Sequence, residues 1–143
     1  MKPRITVVTL GVKSLKNARA FYGKGLKWKE APGGNDSVAF YDLGGLVLSV
    51  FGREDLAKDA KVPSKGSGFR SVALAQNVSS PKEVNKVLAD AKKAGATITK
   101  KGEKTFWGGY AGYFADPDGH LWEIAHNPFW KLDKHGRVVF PKH

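Results

Sequence analysis

The sequence contains no cysteine, and this absence excludes disulfide scaffolds, cysteine-ligated zinc, iron–sulfur clusters and thiolate nucleophiles. It also has no apolar run near the roughly 20 residues that a helix needs to cross a bilayer. The first residues lack the apolar core of a secretion signal. We therefore expect a cytoplasmic protein with no membrane partner, whose chemistry depends on oxygen and imidazole groups.

Acidic residues are scarce relative to basic ones. The chain has 13 Asp and Glu against 24 Lys and Arg, which gives a formal net charge of +11. Such a charge attracts anions, from phosphorylated metabolites to nucleic acid. The lysines are dispersed, however, and no helix–turn–helix or zinc-finger signature accompanies them. A nucleic-acid or anion-binding module is therefore kept only as an alternative function.

The first part of the chain predicts a strand, a helix and three further strands. Residues 5–12 alternate like a half-buried strand, and Ser14 is a typical helix N-cap. The helical stripe that follows consists of Leu15, Ala18, Phe21 and Tyr22. A short strand is predicted over 26–29. Residues 37–41 and 46–51 then form a hairpin pattern around Gly44-Gly45.

The same order of elements returns in the second part of the chain. Residues 72–75 predict a strand, and Ser80-Pro81 with Glu83 has the spacing of a capping box that begins a helix. Gly95 predicts the end of that helix, and residues 97–99 resume a strand. A final hairpin, 110–115 and 120–125, encloses the turn sequence Asp-Pro-Asp-Gly.

This repetition predicts two βαβββ modules in a single domain over about residues 1–128. The first module covers about 4–56, a Lys/Gly/Ser-rich linker about 57–68, and the second module about 69–127. We expect the two sheets to curl toward each other around an apolar cleft. The apolar tail, 129–143, is predicted to pack on the domain or on a partner subunit.

Two motifs carry a family resemblance: Phe21-Tyr22 in the first helix and the run from Tyr113 to Glu123, YFADPDGHLWE. With the duplicated modules, they resemble the vicinal oxygen chelate superfamily, which includes glyoxalase I, extradiol dioxygenases, and bleomycin and fosfomycin resistance proteins. The resemblance covers about residues 4–127. It implies an α+β fold with a cupped, barrel-like mixed sheet and a homodimer. In the family's enzymes it also implies a divalent metal that chelates an oxygenated substrate.

The resemblance places that metal's ligands at Val7, Ser49, Ala73 (or Ser71 if the register slips by two residues) and Glu123. Only Glu123 can serve as an anionic ligand, since valine and alanine have no side-chain donor and a neutral serine is a poor one. We therefore expect no cofactor. A divalent ion held by Glu123 and waters would bind weakly.

Glu123 is the candidate catalytic residue. It lies on the same face of a predicted strand as Leu121 and Ala125, while Trp122 and Ile124 lie on the other face. If the first face lines the cleft, Glu123 is a general base or an anchor for a polar ligand group. The alternative is a carboxylate paired with one of the basic residues, and the sequence does not choose.

The candidate ligand-binding residues are aromatic rings, one amide and one imidazole. Around residues 106–114, rings alternate with glycines, which is typical of a pocket wall or of a twisted, tightly packed strand pair. His126 is a secondary candidate, because a lone histidine is more often structural. The full set is Trp28, Phe40, Phe51, Gln76, Trp107, Tyr110, Tyr113 and His126.

These patterns predict a glyoxalase-like or bleomycin-resistance-like protein that binds a small organic molecule in an aromatic cleft without a metal. Two alternatives stay open. One is a lyase or isomerase of glyoxalase type that uses Glu123 as general base, and the other is the basic nucleic-acid or anion-binding module. The sequence does not decide whether the protein is an enzyme. We expect no nucleic-acid partner.

Overall fold

The computed structural model describes residues 1, 3 and 5–140, and the chain divides into two compact units, Met1–Arg70 and Ser71–His143. Residue 4, at the predicted start of the first module, and the last three residues of the predicted tail lie outside the described residues. In the described part of the chain, no helix is long and apolar enough to cross a membrane.

The first unit is a three-stranded mixed sheet with helical segments. Its elements are β1 (Val7–Val12), α1 (Leu15–Arg19), a π-helical continuation (Ala20–Gly25), β2 (Val38–Asp42), β3 (Val47–Gly52) and α2 (Arg53–Ala60). The strand order is β1-β3-β2, with β1 parallel and β2 antiparallel to β3. The hairpin predicted around Gly44-Gly45 is confirmed.

Local sequence signals account for the start of this unit. Leu10 and Val12 are buried while Val7 and Thr9 are exposed, as the alternation predicts. Ser14 caps α1, because its Oγ accepts a hydrogen bond from the backbone N–H of Asn17 at 3.1 Å. The predicted strand and the predicted cap are therefore both confirmed.

The strand predicted over 26–29 is wrong. Lys27 has a φ of 62°, in the left-handed region, so the backbone is not extended there. The ring of Trp28 instead packs 5.5 Å from that of Tyr22, and strand-like pairing is limited to an isolated bridge between Glu30 and Tyr41. The first unit thus has one strand fewer than a full βαβββ module.

Helix α2 was also not predicted, and it runs through the first residues of the expected linker. Glu54 and Asp55 in its first turn face the positive end of the helix dipole, and Lys61 ends it in a left-handed conformation. The helix packs closely on β1: a Cβ on Gly11 would lie 3.3 Å from the Cα of Arg53. The expected linker, about 57–68, is rich in Lys, Gly and Ser, and such a composition does not predict a helix that packs on a strand.

The second unit has the complete predicted order of elements. It contains β4 (Ala73–Asn77), α3 (Pro81–Ala94), β5 (Thr97–Lys104), β6 (Tyr110–Ala115) and β7 (Leu121–His126), followed by the short strands β8 (Lys131–Leu132) and β9 (Val138–Val139). The main sheet has the order β4-β7-β6-β5, with β4 parallel to β7 and the other pairs antiparallel. The chain is therefore α+β, as predicted.

The ends of α3 follow the predicted capping signals. Ser80 Oγ accepts from the backbone N–H of Glu83 at 3.1 Å, and the Glu83 carboxylate accepts from the N–H and hydroxyl of Ser79. The two hydrogen bonds from Ser79 lower the pKa of Glu83. Gly95 ends the helix with a φ of 115°.

The predicted turn after β6 is also confirmed. The buried Asp116 accepts hydrogen bonds from the backbone N–H groups of Asp118 and His120, both at 2.9 Å, and Gly119 has a φ of 85°. This turn fixes which residues of β6 and β7 stand opposite each other.

Candidate functional site

The two faces of the second unit's sheet differ in what covers them. Helix α3 packs on the face that bears the buried side chains of Phe114, Trp122 and Ile124. A Cβ on Gly112, which shares that face, would lie 2.6 Å from Leu88 of α3. Glu123 alternates with these residues and so points away from α3. We call this opposite surface the Glu123 face, formed by Ala73, Ala75, Asn77, Ala111, Tyr113, Ala115, Leu121, Glu123 and Ala125.

Glu123 and Tyr113 form a hydrogen-bonded pair at the centre of this face. They stand directly opposite each other on β7 and β6, and both side chains are half-buried. Tyr113 Oη donates to Glu123 Oε2 at 2.6 Å. Within the described residues, no lysine or arginine forms a salt bridge with Glu123. The carboxylate is therefore held by a neutral phenol.

The hydrogen bond to Glu123 raises the pKa of Tyr113 to about 12, with burial and the negative charge of Glu123 adding to the shift. Tyr113 therefore keeps its proton at neutral pH and acts as a hydrogen-bond donor. The pairing could have been found from sequence by counting outward from the Asp-Pro-Asp-Gly turn. Sequence reasoning considered the two residues separately and missed it.

The side chains nearest the pair are mostly small and apolar, although the amide of Asn77 shares this face opposite Ala125. Ala75 on β4 stands directly opposite Glu123 on the other side and is exposed. Ala111 and Ala125 pair with each other two residues away along β6 and β7, and both are buried. On the Glu123 face, one carboxylate and one phenol therefore lie among alanine side chains, of which Ala75 is exposed.

Three other candidates of the second unit lie on the face toward α3. Gln76 pairs with Ile124, and Tyr110 pairs with His126. The Tyr110 hydroxyl lies 3.0 Å from both Asn85 Oδ1 and the carbonyl oxygen of Gly102. His126 Nδ1 lies 3.3 Å from the carbonyl oxygen of Val78, beside the start of α3. The structure therefore does not bring these side chains together with Glu123.

Trp107 lies in the turn between β5 and β6, where its ring fills the space that a side chain on Gly109 would occupy. Thr105 closes this turn, because its Oγ accepts from the backbone N–H of Gly109 at 2.9 Å. Neighbouring Phe106 is fully exposed. Glycine at position 109 is thus required for the close approach of the indole.

The candidates of the first unit divide between two places. Trp28 belongs to an aromatic cluster with Tyr22 and Tyr41, at centroid distances of 5.5 and 6.2 Å. Phe40 and Phe51 share the other face of the sheet with the buried Ser49, since Phe40 and Ser49 are cross-strand partners. Helix α2 packs at Gly11, at one end of that face.

Comparison with known proteins now adds to this geometry. A family model described as the Glyoxalase/Bleomycin resistance protein/Dioxygenase superfamily matches residues 4–124. The chain belongs to this superfamily. Among proteins with curated descriptions, no match is found.

Solved structures resemble most of the chain. A glyoxalase-related enzyme from Fulvimarina pelagi is 36% identical, with 98% of this chain and 99% of that chain covered and a TM-score of 0.87. A family enzyme from Burkholderia phytofirmans is 20% identical, with 85% and 96% covered and a TM-score of 0.76. A lactoylglutathione lyase from Agrobacterium tumefaciens is 17% identical, with 91% and 98% covered and a TM-score of 0.68. The last two likenesses concern the fold alone.

The superfamily's metal does not fit the residues of this member. The structure corrects the expected register of the ligand positions. Ser49 stands opposite Thr9 rather than Val7, and Glu123 stands opposite Ala75 rather than Ala73, which pairs with Leu121. Ser71, with a φ of 59°, precedes β4. In residues 1, 3 and 5–140, no three His, Cys, Asp or Glu side chains come close enough to hold an ion. One carboxylate, with an oxygen already bonded to Tyr113, is a poor ligand set for a divalent cation.

The Tyr113–Glu123 pair makes a prediction for alkaline titration. Glu123→Gln should bring the pKa of Tyr113 from about 12 toward its ordinary value of 10, because the charged acceptor is lost. In the wild type, the unfolded chain releases this proton at lower pH than the folded protein does. Stability should therefore fall as pH rises between these values, and less so in the variant. Tyrosinate absorbance and urea unfolding at several pH values measure both effects.

Tyr113→Phe identifies the Tyr113 transition among the four tyrosines of the chain. An unchanged tyrosine titration in Glu123→Gln would show that the two side chains do not interact in solution.

Proposed function

We propose that this superfamily member binds a small organic molecule on the Glu123 face, without a resident metal, and uses Tyr113–Glu123 as its polar anchor. The observation that carries the proposal is the carboxylate held by a phenol at 2.6 Å, with no cationic partner in the described part of the chain. A ligand donor group would complete the hydrogen bonds of Glu123.

The chemistry of the pair limits the ligand class. An ionised carboxylate only accepts hydrogen bonds, and the phenolic proton of Tyr113 is already donated to it. The ligand must therefore bring a hydroxyl or N–H donor. The neighbouring alanines and Leu121 favour a ligand whose body is apolar. A flat ring can lie against a surface of small side chains. We infer an aromatic or similarly planar compound with a donor group.

Paired probes that differ only in this donor test the proposal. Phenol and indole should shift the methyl NMR signal of the exposed Ala75 in a saturable way, whereas anisole and N-methylindole should bind more weakly. Glu123→Gln should weaken phenol and indole binding by at least about tenfold, since a hydrogen bond to a charged group contributes roughly 1.5–3 kcal/mol. The protein is first dialysed against a chelator.

Glu103→Gln is the matched control, because it removes the same charge from the same sheet at a side chain that is half exposed and paired with Lys100. It should leave probe binding unchanged. Equal binding by wild type and Glu123→Gln would contradict the anchor. If Zn²⁺ or Mn²⁺ raised the affinity of the wild type for the probes but not that of Glu123→Gln, this would contradict the proposal that the site works without a resident metal.

A further inference from the structure

Asn77, at the end of β4, is a further polar side chain on the Glu123 face. It pairs with Ala125 in the parallel register of β4 and β7, two residues along from the pairing of Ala75 with Glu123. The backbone N–H of Val78 donates to the carbonyl oxygen of Ala125 at 2.8 Å, so the ladder continues past Asn77 and fixes its direction. The Asn77 side chain therefore lies on the same side of the sheet as Glu123, where it is half-buried.

Other residues fill the local role that an asparagine often has just before a helix, which is to cap it. Ser80 caps α3, and Ser79 donates to the carboxylate of Glu83. Among the described residues, none forms a hydrogen bond with the Asn77 side chain. Its amide therefore has both a donor and an acceptor available for a ligand.

The sheet sets the distance between Asn77 and Glu123. Neighbouring strands lie about 4.8 Å apart and two residues of a strand span roughly 6.6 Å, so the two Cα atoms are about 8 Å apart along the diagonal. The exposed Ala75 is next to both residues. A small molecule that lies over Ala75 and contacts both side chains must therefore have two well-separated polar groups.

We propose that Asn77 determines the specificity of this site, and that its ligand is an aromatic compound with a hydrogen-bond donor at one end of the ring and a carbonyl or hydroxyl at the other. This inference rests on the proposed function and defines its ligand class more closely. The carboxylate of Glu123 accepts from the donor, and the amide of Asn77 binds the oxygen at the far end. Groups in para positions of a benzene ring have the required separation, whereas groups on adjacent ring carbons are too close together.

Four probes, titrated against the wild type and Asn77→Ala, test this inference through the methyl NMR signal of Ala75. Asn77→Ala should weaken the binding of 4-hydroxyacetophenone and 4-hydroxybenzyl alcohol by about fivefold, because one hydrogen bond between neutral groups is lost. Phenol and 2-hydroxybenzyl alcohol should keep their affinities, because neither has an oxygen that reaches Asn77 while its phenol group is bound to Glu123. Gln76→Ala is the matched control, since it removes an amide from the same strand on the face toward α3, and it should change none of the four affinities.

Asn77→Asp separates recognition from a disturbance of the fold. A carboxylate accepts hydrogen bonds but cannot donate one to a carbonyl. This variant should therefore lose affinity for 4-hydroxyacetophenone at least as much as Asn77→Ala does. It should keep its affinity for 4-hydroxybenzyl alcohol, whose hydroxyl can donate to the new side chain.

Three results would overturn the inference: unchanged binding of both para-substituted probes by Asn77→Ala, an equal loss for all four probes, or an equal loss of both para-substituted probes in Asn77→Asp. Each of them would leave the proposed function intact as long as phenol binds the wild type more tightly than Glu123→Gln. If phenol binding did not depend on Glu123, the proposed function would fail and this inference would fail with it.

Discussion

Replacing Gly112 by alanine should destabilise the protein by about 3 kcal/mol, at the upper end of what overpacking costs. The added methyl would lie 2.6 Å from Leu88 Cδ1, 2.8 Å from the carbonyl oxygen of Lys100 and 2.9 Å from the backbone nitrogen of Gly102. A leucine methyl can rotate away, but two of these three neighbours are backbone atoms of β5. Relief therefore requires β5 to move away from β6. Urea unfolding measures the loss as a lower transition midpoint.

Gly23→Ala is the matched control for this substitution. Its methyl would meet Tyr41 Oη at 3.6 Å and the carbonyl oxygen of Trp28 at 3.9 Å, which are ordinary contacts. We expect a change within about 0.5 kcal/mol, or a small gain from the stiffer unfolded chain. If Gly112→Ala behaved like Gly23→Ala, α3 would not pack on the Gly112 side of the sheet, and Glu123 would lose its assignment to the opposite face.

Leu88→Ala should have a comparably large effect, of about 2–5 kcal/mol. Leu88 is 5% exposed and lies where α3 crosses Gly112 of β6. The substitution removes apolar contacts and leaves a cavity, and the backbone of a regular helix and a hydrogen-bonded sheet cannot collapse to fill it. Thermal and urea unfolding would both show the loss.

Val87→Ala, one position earlier on the same helix, is the control. Val87 is only half-buried, so its truncation should cost less than that of Leu88. The double variant Leu88→Ala/Gly112→Ala should lose less than the sum of the single variants, because the truncated side chain no longer meets the new methyl. Simple additivity would mean that the two residues are not in contact.

The sequence predicted those parts of the fold that neighbouring residues decide. The start and end of α3 were readable from Ser80, Pro81, Glu83 and Gly95, because caps act within one turn of a helix. The register of the last hairpin follows from its turn, since Asp116 bonds the N–H groups two and four residues ahead. The most specific motif of the family resemblance lies in this same hairpin.

Errors arose where distant contacts override local preference. Residues 26–29 have the composition of a strand, yet packing of Trp28 against Tyr22 and Tyr41 accompanies a left-handed Lys27. Helix α2 has a weakly apolar sequence, and its position depends on close contact with Gly11. Local patterns contain no information about such partners.

The sequence by itself determined that Glu123 shares a face with Leu121 and Ala125 and that, among the ligand positions that the resemblance implies, only Glu123 has an anionic side chain. Alternation along a strand and the chemistry of side chains are sufficient for both statements. Only the tertiary structure decided which face α3 covers, because that depends on Leu88 meeting Gly112, 24 residues further along the chain (112 − 88). It also showed that Glu123 is held by Tyr113, since a hydrogen bond between two strands exists only once they pair.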